Sequence, residues 1–199
     1  MGERKFDQML QIRTVGLREW RGGSEDYNRY EATPYVALKK LFQSYKIKPT
    51  DRVVDFGSGR GRVAFYIHHY FNVPVTGIEM NDLTYEEALR NKALYRQKNK
   101  HLSAPIQFEF GLAENYQVHP EDNVFYFFNP FTINIFKQVI HNILHSFKKN
   151  KRSIDIILYY PLPEFKKFLK NETPFELINK IKAYNGNGKY GKFLVYRLN

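Results

Sequence analysis

Apolar residues in this chain fall by turns in short runs of strand-like composition and in longer stretches at helical spacing. Arg52 to Phe56 reads as a first strand and Arg62 to about Phe71 as the helix after it. Val75–Glu79 reads as a second strand, bounded by Pro74 and by Asn81-Asp82. A long polar helix then starts at Asp82 or Thr84 and runs to about Lys100, with Leu83, Ala88, Leu89 and Leu94 on one side. Ile106–Phe110 is a third strand. Asn123–Phe128 is a fourth, apolar at nearly every position, the pattern of a strand covered on both faces. A helix over about Thr132–Phe147 leads to a fifth strand, Ile154–Tyr160, which Pro161 and Pro163 close before a short helix at Glu164–Lys170.

The two ends depart from this rhythm. Residues 1–31 are polar and mixed, broken by Gly16, Gly22 and Gly23, and predict a short helix at most. Thr33-Pro34 then starts a helix whose apolar face is Tyr35, Val36, Leu38, Leu41, Phe42 and Tyr45, ending at Lys46; Thr supplies a cap and Pro needs no N–H partner in the first turn. At the other end, Phe175–Tyr184 and Tyr190–Leu198 have strand character and are joined by Asn185-Gly-Asn-Gly188, a hairpin signal.

Alternating strands and helices require long crossovers and hence parallel neighbours. The expected fold is α/β: a three-layer, doubly wound, mostly parallel seven-stranded sheet ending in an antiparallel C-terminal hairpin. Residues 33–199 are expected to form this domain, and 1–32 an N-terminal extension or lid. Ligands of such sheets sit outside the carboxyl ends of the strands. Asp55, Glu79, the Gly111–Glu114 loop and Asn129-Pro130-Phe131 all fall there.

The chain has 199 residues, enough for one full core. Its 43% hydrophobic and 26% charged residues are those of a folded soluble protein, and neither a membrane-length apolar run nor a secretory pattern is present. The absence of cysteine removes disulfides, thiolate nucleophiles and Cys-ligated zinc, and is compatible with a cytoplasmic protein. The net charge of +11 is unevenly placed. Residues 1–50 carry 10 Lys/Arg against 6 Asp/Glu, residues 51–145 carry 9 against 10, and residues 146–199 carry 12 against 4. Basic ends around a neutral centre favour an anionic partner, although a solvated lysine surface has the same composition.

The most informative stretch is Asp55-Phe-Gly57-Ser58-Gly59-Arg-Gly61-Arg62. Its glycines allow positive φ and close approach of backbone to a ligand between strand and helix. The Asp55 carboxylate would repel a phosphate but accept hydrogen bonds from an ammonium group or a hydroxyl. Glu79, 24 residues on, is placed to accept both hydroxyls of a ribose. Leu112 and Ala113 are candidates for the face of an adenine, with Glu114 or a backbone group meeting its amine, and Met80 for the other side of that ring; each is equally consistent with ordinary packing. Asn129-Pro130-Phe131 ends the most apolar strand. The Asn129 side-chain carbonyl and the main-chain carbonyl preceding Pro130 could accept the N–H groups of an amine, with Phe131 or Phe128 stacked on a flat substrate. Alternatively, Asn129 caps the following helix. Tyr30 and Tyr35 complete the expected substrate wall, with Arg29, Arg60 and Arg62 closing over a carboxylate or an anionic substrate. His141 and His145 are four residues apart but lack acidic neighbours, so no metal is expected.

Together these residues resemble the class I S-adenosylmethionine-dependent methyltransferases over about residues 33–199. The resemblance implies S-adenosylmethionine as cofactor, its methionine part held by the Asp55–Gly61 loop and its ribose by Glu79. It implies in-line transfer of a methyl group to an acceptor, with Asn129-Pro130-Phe131 resembling the Asn/Asp-Pro-Pro-aromatic motif of enzymes that act on amino and amide nitrogens. Here the second proline is missing. Tyr30-Glu-Ala-Thr-Pro-Tyr35 resembles a Thr-Pro segment of some adenine-N6 enzymes, while Gly77-Ile-Glu-Met-Asn81 is similar to certain protein lysine methyltransferases. The acceptor, whether small molecule, protein or nucleic acid, stays open. Two other readings remain at this point: a nicotinamide-dependent oxidoreductase, from the glycine loop and Glu79, and a non-catalytic RNA- or DNA-binding module, from the charge and the cluster Trp20, Arg21, Tyr27, Arg29 and Tyr30.

Overall fold

The computed structural model describes residues 2–16, 26–28, 31–183 and 191–199. Helices α1 (Glu3–Leu10) and α2 (Tyr35–Ser44) precede β1 (Val53–Phe56), α3 (Arg62–Phe71), β2 (Val75–Glu79), α4 (Asp82–Lys98) and β3 (Ile106–Phe110). A single 3-10 turn at Ala113–Asn115 is followed by β4 (Val124–Phe127), α5 (Ile133–Lys149), β5 (Ile154–Tyr159), α6 (Pro163–Glu172), β6 (Glu176–Lys182) and β7 (Lys192–Leu198).

The strands form one seven-stranded sheet in the order β3-β2-β1-β4-β5-β7-β6. Neighbours from β3 to β5 are parallel, and β7 runs antiparallel to both β5 and β6. The expected architecture is therefore observed. The link of the C-terminal hairpin, Asn185–Gly188, lies outside the described residues, as do Trp20, Arg21, Arg29 and Tyr30.

β1, β2, β4 and β5 are buried at every position, which is why their sequences lack polar alternation. Successive side chains enter opposite cores. Val53, Val75 and Tyr126 join α2 and α3 on one face, while Val54, Phe56, Phe125 and Phe127 join α5 and α6 on the other. The first core also takes in Leu10 and Ile12 from the N-terminal segment, both buried.

Three local expectations are corrected. Thr33 does not cap α2; its hydroxyl is 2.8 Å from the Tyr126 hydroxyl, and Pro34 occupies the position before the helix with no side-chain cap. On α4 the buried side is Thr84, Ala88, Asn91 and Tyr95, whereas Leu83, Leu89 and Leu94 are exposed. Asn91 fits there because its amide bonds Arg13 O and Arg60 O and its carbonyl accepts from Arg13 N, so burial leaves no polar group unpaired. Finally, Pro163 does not merely close β5 but opens α6 in its first turn.

Candidate active site

The β1–α3 turn carries positive φ at Gly57, Gly59 and Gly61. At Gly57 (φ 71°) a Cβ would stand 2.4 Å from the Cβ of Pro130, and at Gly61 (φ 87°) 2.5 Å from the Phe108 ring. The missing side chain at Gly57 thus lets the β4–α5 loop ride on the glycine turn, and that at Gly61 makes room for the Phe108 ring of β3. Glu79, at the end of β2, ties the turn from below: its Oε2 accepts from Gly59 N at 2.7 Å and its Oε1 from Asn81 N at 2.8 Å. The Thr84 side chain and the Met80 backbone N–H also bear on this carboxylate, so the Glu79 oxygens sit among donors at the mouth of the turn.

Asp55 is buried beside it. Burial first, and the Glu79 charge second, push the Asp55 carboxyl up to about 8. Burial likewise raises Glu79, partly offset by its backbone N–H donors. Two buried carboxyls of raised affinity for protons in a strand-end turn form a site that favours a cation or hydroxyl donors. Asp55, Gly57, Ser58, Arg62 and Val63 line a small pocket whose other side is Glu31-Ala-Thr33, Tyr126 and Phe128. Ser58 Oγ is buried without a hydrogen-bond partner among the described residues.

Asn129 takes the left-handed conformation (φ 46°), at about 1 kcal/mol or more for a residue other than glycine. It is not the cap of α5; that position belongs to Thr132. The conformation is held from outside by residues 26–28. Asn28 Nδ2 donates to Asn129 O at 2.8 Å, Asn28 N to Pro130 O at 2.9 Å, and Thr132 N to Asp26 O at 2.8 Å. The main-chain carbonyl that was a candidate amine acceptor is therefore already engaged. Asn129 Oδ1, by contrast, is buried with no hydrogen-bond partner among the described residues. A buried acceptor left unpaired costs about 1–3 kcal/mol, which a donor entering the site would recover.

Several expected wall residues sit elsewhere. Phe131 is fully buried, edge-on to Phe127 and Tyr27, and presents no face to a substrate. Phe128 is the half-buried aromatic on the pocket, backed by Tyr159. Tyr35 is buried behind Arg62, its ring stacked on Phe6 and its hydroxyl donating to Asp7 at 2.7 Å. Arg62 lines the pocket but is held by Glu3, Thr14 Oγ1 and Thr33 O. Arg60 points away, to Glu87 at 2.5 Å and Val15 O at 3.1 Å. Beyond β3, Ala113 is buried and Leu112 exposed; Met80, directly after β2, is half-buried.

Tyr27 was expected only in a basic aromatic cluster. Its hydroxyl instead accepts from Ala113 N at 3.2 Å and donates to Glu114 Oε2 at 2.5 Å, so it lies on the loop assigned to adenine. No periodicity marks such a residue; only an aromatic in a polar stretch hinted at it. Among the described residues no group of three or more His, Asp or Glu side chains is arranged to hold a metal ion, and no helix is long and apolar enough to cross a membrane.

Residues 6–154 match the family model described as histone methylation protein DOT1. The chain belongs to the DOT1 family. With it come the class I S-adenosylmethionine-dependent methyltransferase assignment and an enzymatic role, and the nicotinamide and non-catalytic readings fall away. The DOT1 match starts well upstream of residue 33, in keeping with the burial of Leu10 and Ile12. A search of curated proteins gave no match. Among solved structures, the fold is similar to an RNA methyltransferase from Salinibacter ruber in complex with S-adenosyl-L-homocysteine, at 17% identity over 84% of this chain and 92% of that one, TM-score 0.57. It is also similar to an S-adenosylmethionine-dependent methyltransferase from Methanosarcina mazei, at 15% identity over 79% and 96%, TM-score 0.58. A human methyltransferase 10 domain containing protein gives 14% identity over 84% of both chains, TM-score 0.58. At these identities the likeness extends to the fold of this chain alone.

Proposed function

We propose that this enzyme transfers the methyl group of S-adenosylmethionine to an amino nitrogen of a protein substrate, with Asn129 Oδ1 as the group that orients the amine. One observation carries the reading: a buried amide carbonyl without a partner, on a left-handed residue, at the carboxyl end of β4 and against the glycine turn. The family's description, histone methylation, favours a protein acceptor over a nucleic acid or a small molecule. The donor, when bound, supplies a sulfonium methyl group that is already activated, so the chain's residues need only bind, orient and exclude water.

In this reading Asp55 accepts from the donor's ammonium group, Glu79 from its ribose hydroxyls, and Ala113 with Leu112 and Met80 frames its base. Asn129 Oδ1 accepts an N–H of the incoming amine and so fixes the direction of its lone pair; an amide carbonyl removes no proton, so a lysine must arrive neutral. Phe128 forms the apolar wall. Pro130 keeps the loop stiff, and Tyr27 and Asn28, within the extension of residues 1–32, act as cover. The absence of cysteine fits a reducing compartment such as the cytoplasm.

Incubation of the enzyme with labelled donor and fractionated extract should place label in protease-sensitive material. Label that only nuclease releases would overturn the protein acceptor. Asn129→Ala should lower turnover by about 100-fold while the donor Kd changes less than about threefold, and Glu79→Gln should raise the donor Kd by about tenfold or more. Similar small effects of both substitutions on both constants would refute this division of labour.

A further inference from the structure

The sheet face packed by α5 and α6 is not covered to its edge. Between α6 and the β6–β7 pair runs a groove of about 620 Å³. Its apolar lining is Phe175, Leu177, Leu194 and Tyr196; Leu177 stands opposite Tyr196 in the strand register and is itself 40% exposed. Around these stand Lys166 and Lys170 from α6, Lys180 from β6 and Lys192 from β7, against a single carboxylate, Glu176. Among the described residues none of the four lysines is in an ion pair; the one ion pair of α6 joins Glu172 to Lys137.

Lysines on an outer strand commonly block edge-to-edge aggregation, which would account for Lys180. It does not account for Lys166 and Lys170 on a helix, nor for Lys192 on β7, which is paired on both sides. Four lysines lining one groove around the exposed Leu177 call for a ligand that is both anionic and apolar. Lys192 to Tyr196 spans about 14 Å at about 3.4 Å per residue, the length of four or five extended residues. Single-stranded nucleic acid fits less well, because the rings in the groove, Phe175 and Tyr196, are 4% exposed and offer no face for a base. The groove is lined by residues between 166 and 196, beyond the family match that ends at 154.

We propose that this groove docks an extended acidic peptide segment of a partner protein, with an apolar side chain of the segment against the exposed Leu177 and its carboxylates at the lysines. The proposal does not depend on the methyl-transfer reading.

The test uses the full chain and a fluorescent peptide of about ten Asp and Glu residues around a central Leu, followed by anisotropy. Binding should weaken by about tenfold or more in the double variant Lys166→Glu/Lys180→Glu, and measurably in Lys166→Gln/Lys180→Gln, with thermal stability and donor affinity unchanged. Replacing the peptide's Leu by Ser should also weaken binding. Equal affinity of the Leu and Ser peptides would reduce the site to diffuse charge and overturn the proposal. So would peptide binding that the charge reversals leave intact, or a single-stranded RNA that binds more tightly than the peptide and loses affinity in the same variants.

Discussion

At the scale of single residues, the site is organised by polar groups placed where burial changes their chemistry. Asp55 is the clearest case, its carboxyl raised from 3.8 to about 8 by burial and by Glu79. An acid raised on folding holds a proton that the unfolded chain has released. Its contribution to stability is therefore fully present below its unfolded value of 3.8 and is lost as pH rises to about 8. Binding of a cationic donor has the opposite slope, since it favours the ionised carboxylate. Donor affinity should rise by up to about tenfold per pH unit between about pH 6 and 8, then level off. Proton release on binding, measured calorimetrically in buffers of different ionisation heat, should approach one proton below that window's end. Affinity that is flat across the window, with no proton released, would show Asp55 already ionised in the free enzyme. Asn129→Ala should leave this profile unchanged, because in the proposed reading it acts on the acceptor side.

At the scale of elements, the strands and the sheet edge that carries the candidate site were legible because burial on both faces erases polar alternation in β1, β4 and β5, and because crossovers force the loops to one edge. Helix faces were less legible. α4 buries Asn91 and exposes Leu83, Leu89 and Leu94, since hydrogen bonds from Arg13 and to Arg60 and Arg13 compensate the amide, and no periodicity of hydrophobic residues reports such a bond. The same limit hid Tyr27 and Asn28, whose positions follow from contacts over 80 residues away in the chain, to Glu114 and Asn129. It also misplaced Phe131, because an aromatic beside a catalytic-looking Asn is equally good core material. Contact between two loops, by contrast, can be tested directly. Gly57→Ala would push a Cβ to 2.4 Å from Pro130 at a positive φ, and should destabilise the fold by about 2–4 kcal/mol and abolish donor binding. Gly111→Ala meets nothing within 4 Å and should change stability by less than about 0.5 kcal/mol. Equal behaviour of the two variants would mean that the glycine turn and the β4–α5 loop are not in contact.

At the scale of the whole molecule, the N-terminal segment is joined to the sheet through one buried polar hub. Asp7 accepts from Thr14 N at 2.5 Å, Thr14 Oγ1 at 2.7 Å, Val15 N at 3.1 Å and the Tyr35 hydroxyl at 2.7 Å. Thr14 and Tyr35 in turn contact Arg62, on the first turn of the helix that follows the glycine loop. α1 is thereby coupled to the pocket beside Asp55, where the proposed reading places the donor, through Arg62 without lining that pocket itself. Asp7→Ala would strand several buried donors at once, each worth about 1–3 kcal/mol, so a loss of about 3 kcal/mol or more is expected. For a chain of this length, that is a fall in Tm of roughly 6–12 °C. Arg62 would lose the orientation of Thr14 and Tyr35, and donor affinity should fall with it. Asp7→Asn keeps the size and one acceptor oxygen and should recover part of both effects. If Asp7→Ala lowered Tm as expected but left donor affinity untouched in a calorimetric titration of the folded protein, α1 would be a packing element only, and the link from Asp7 through Arg62 to the pocket would be refuted.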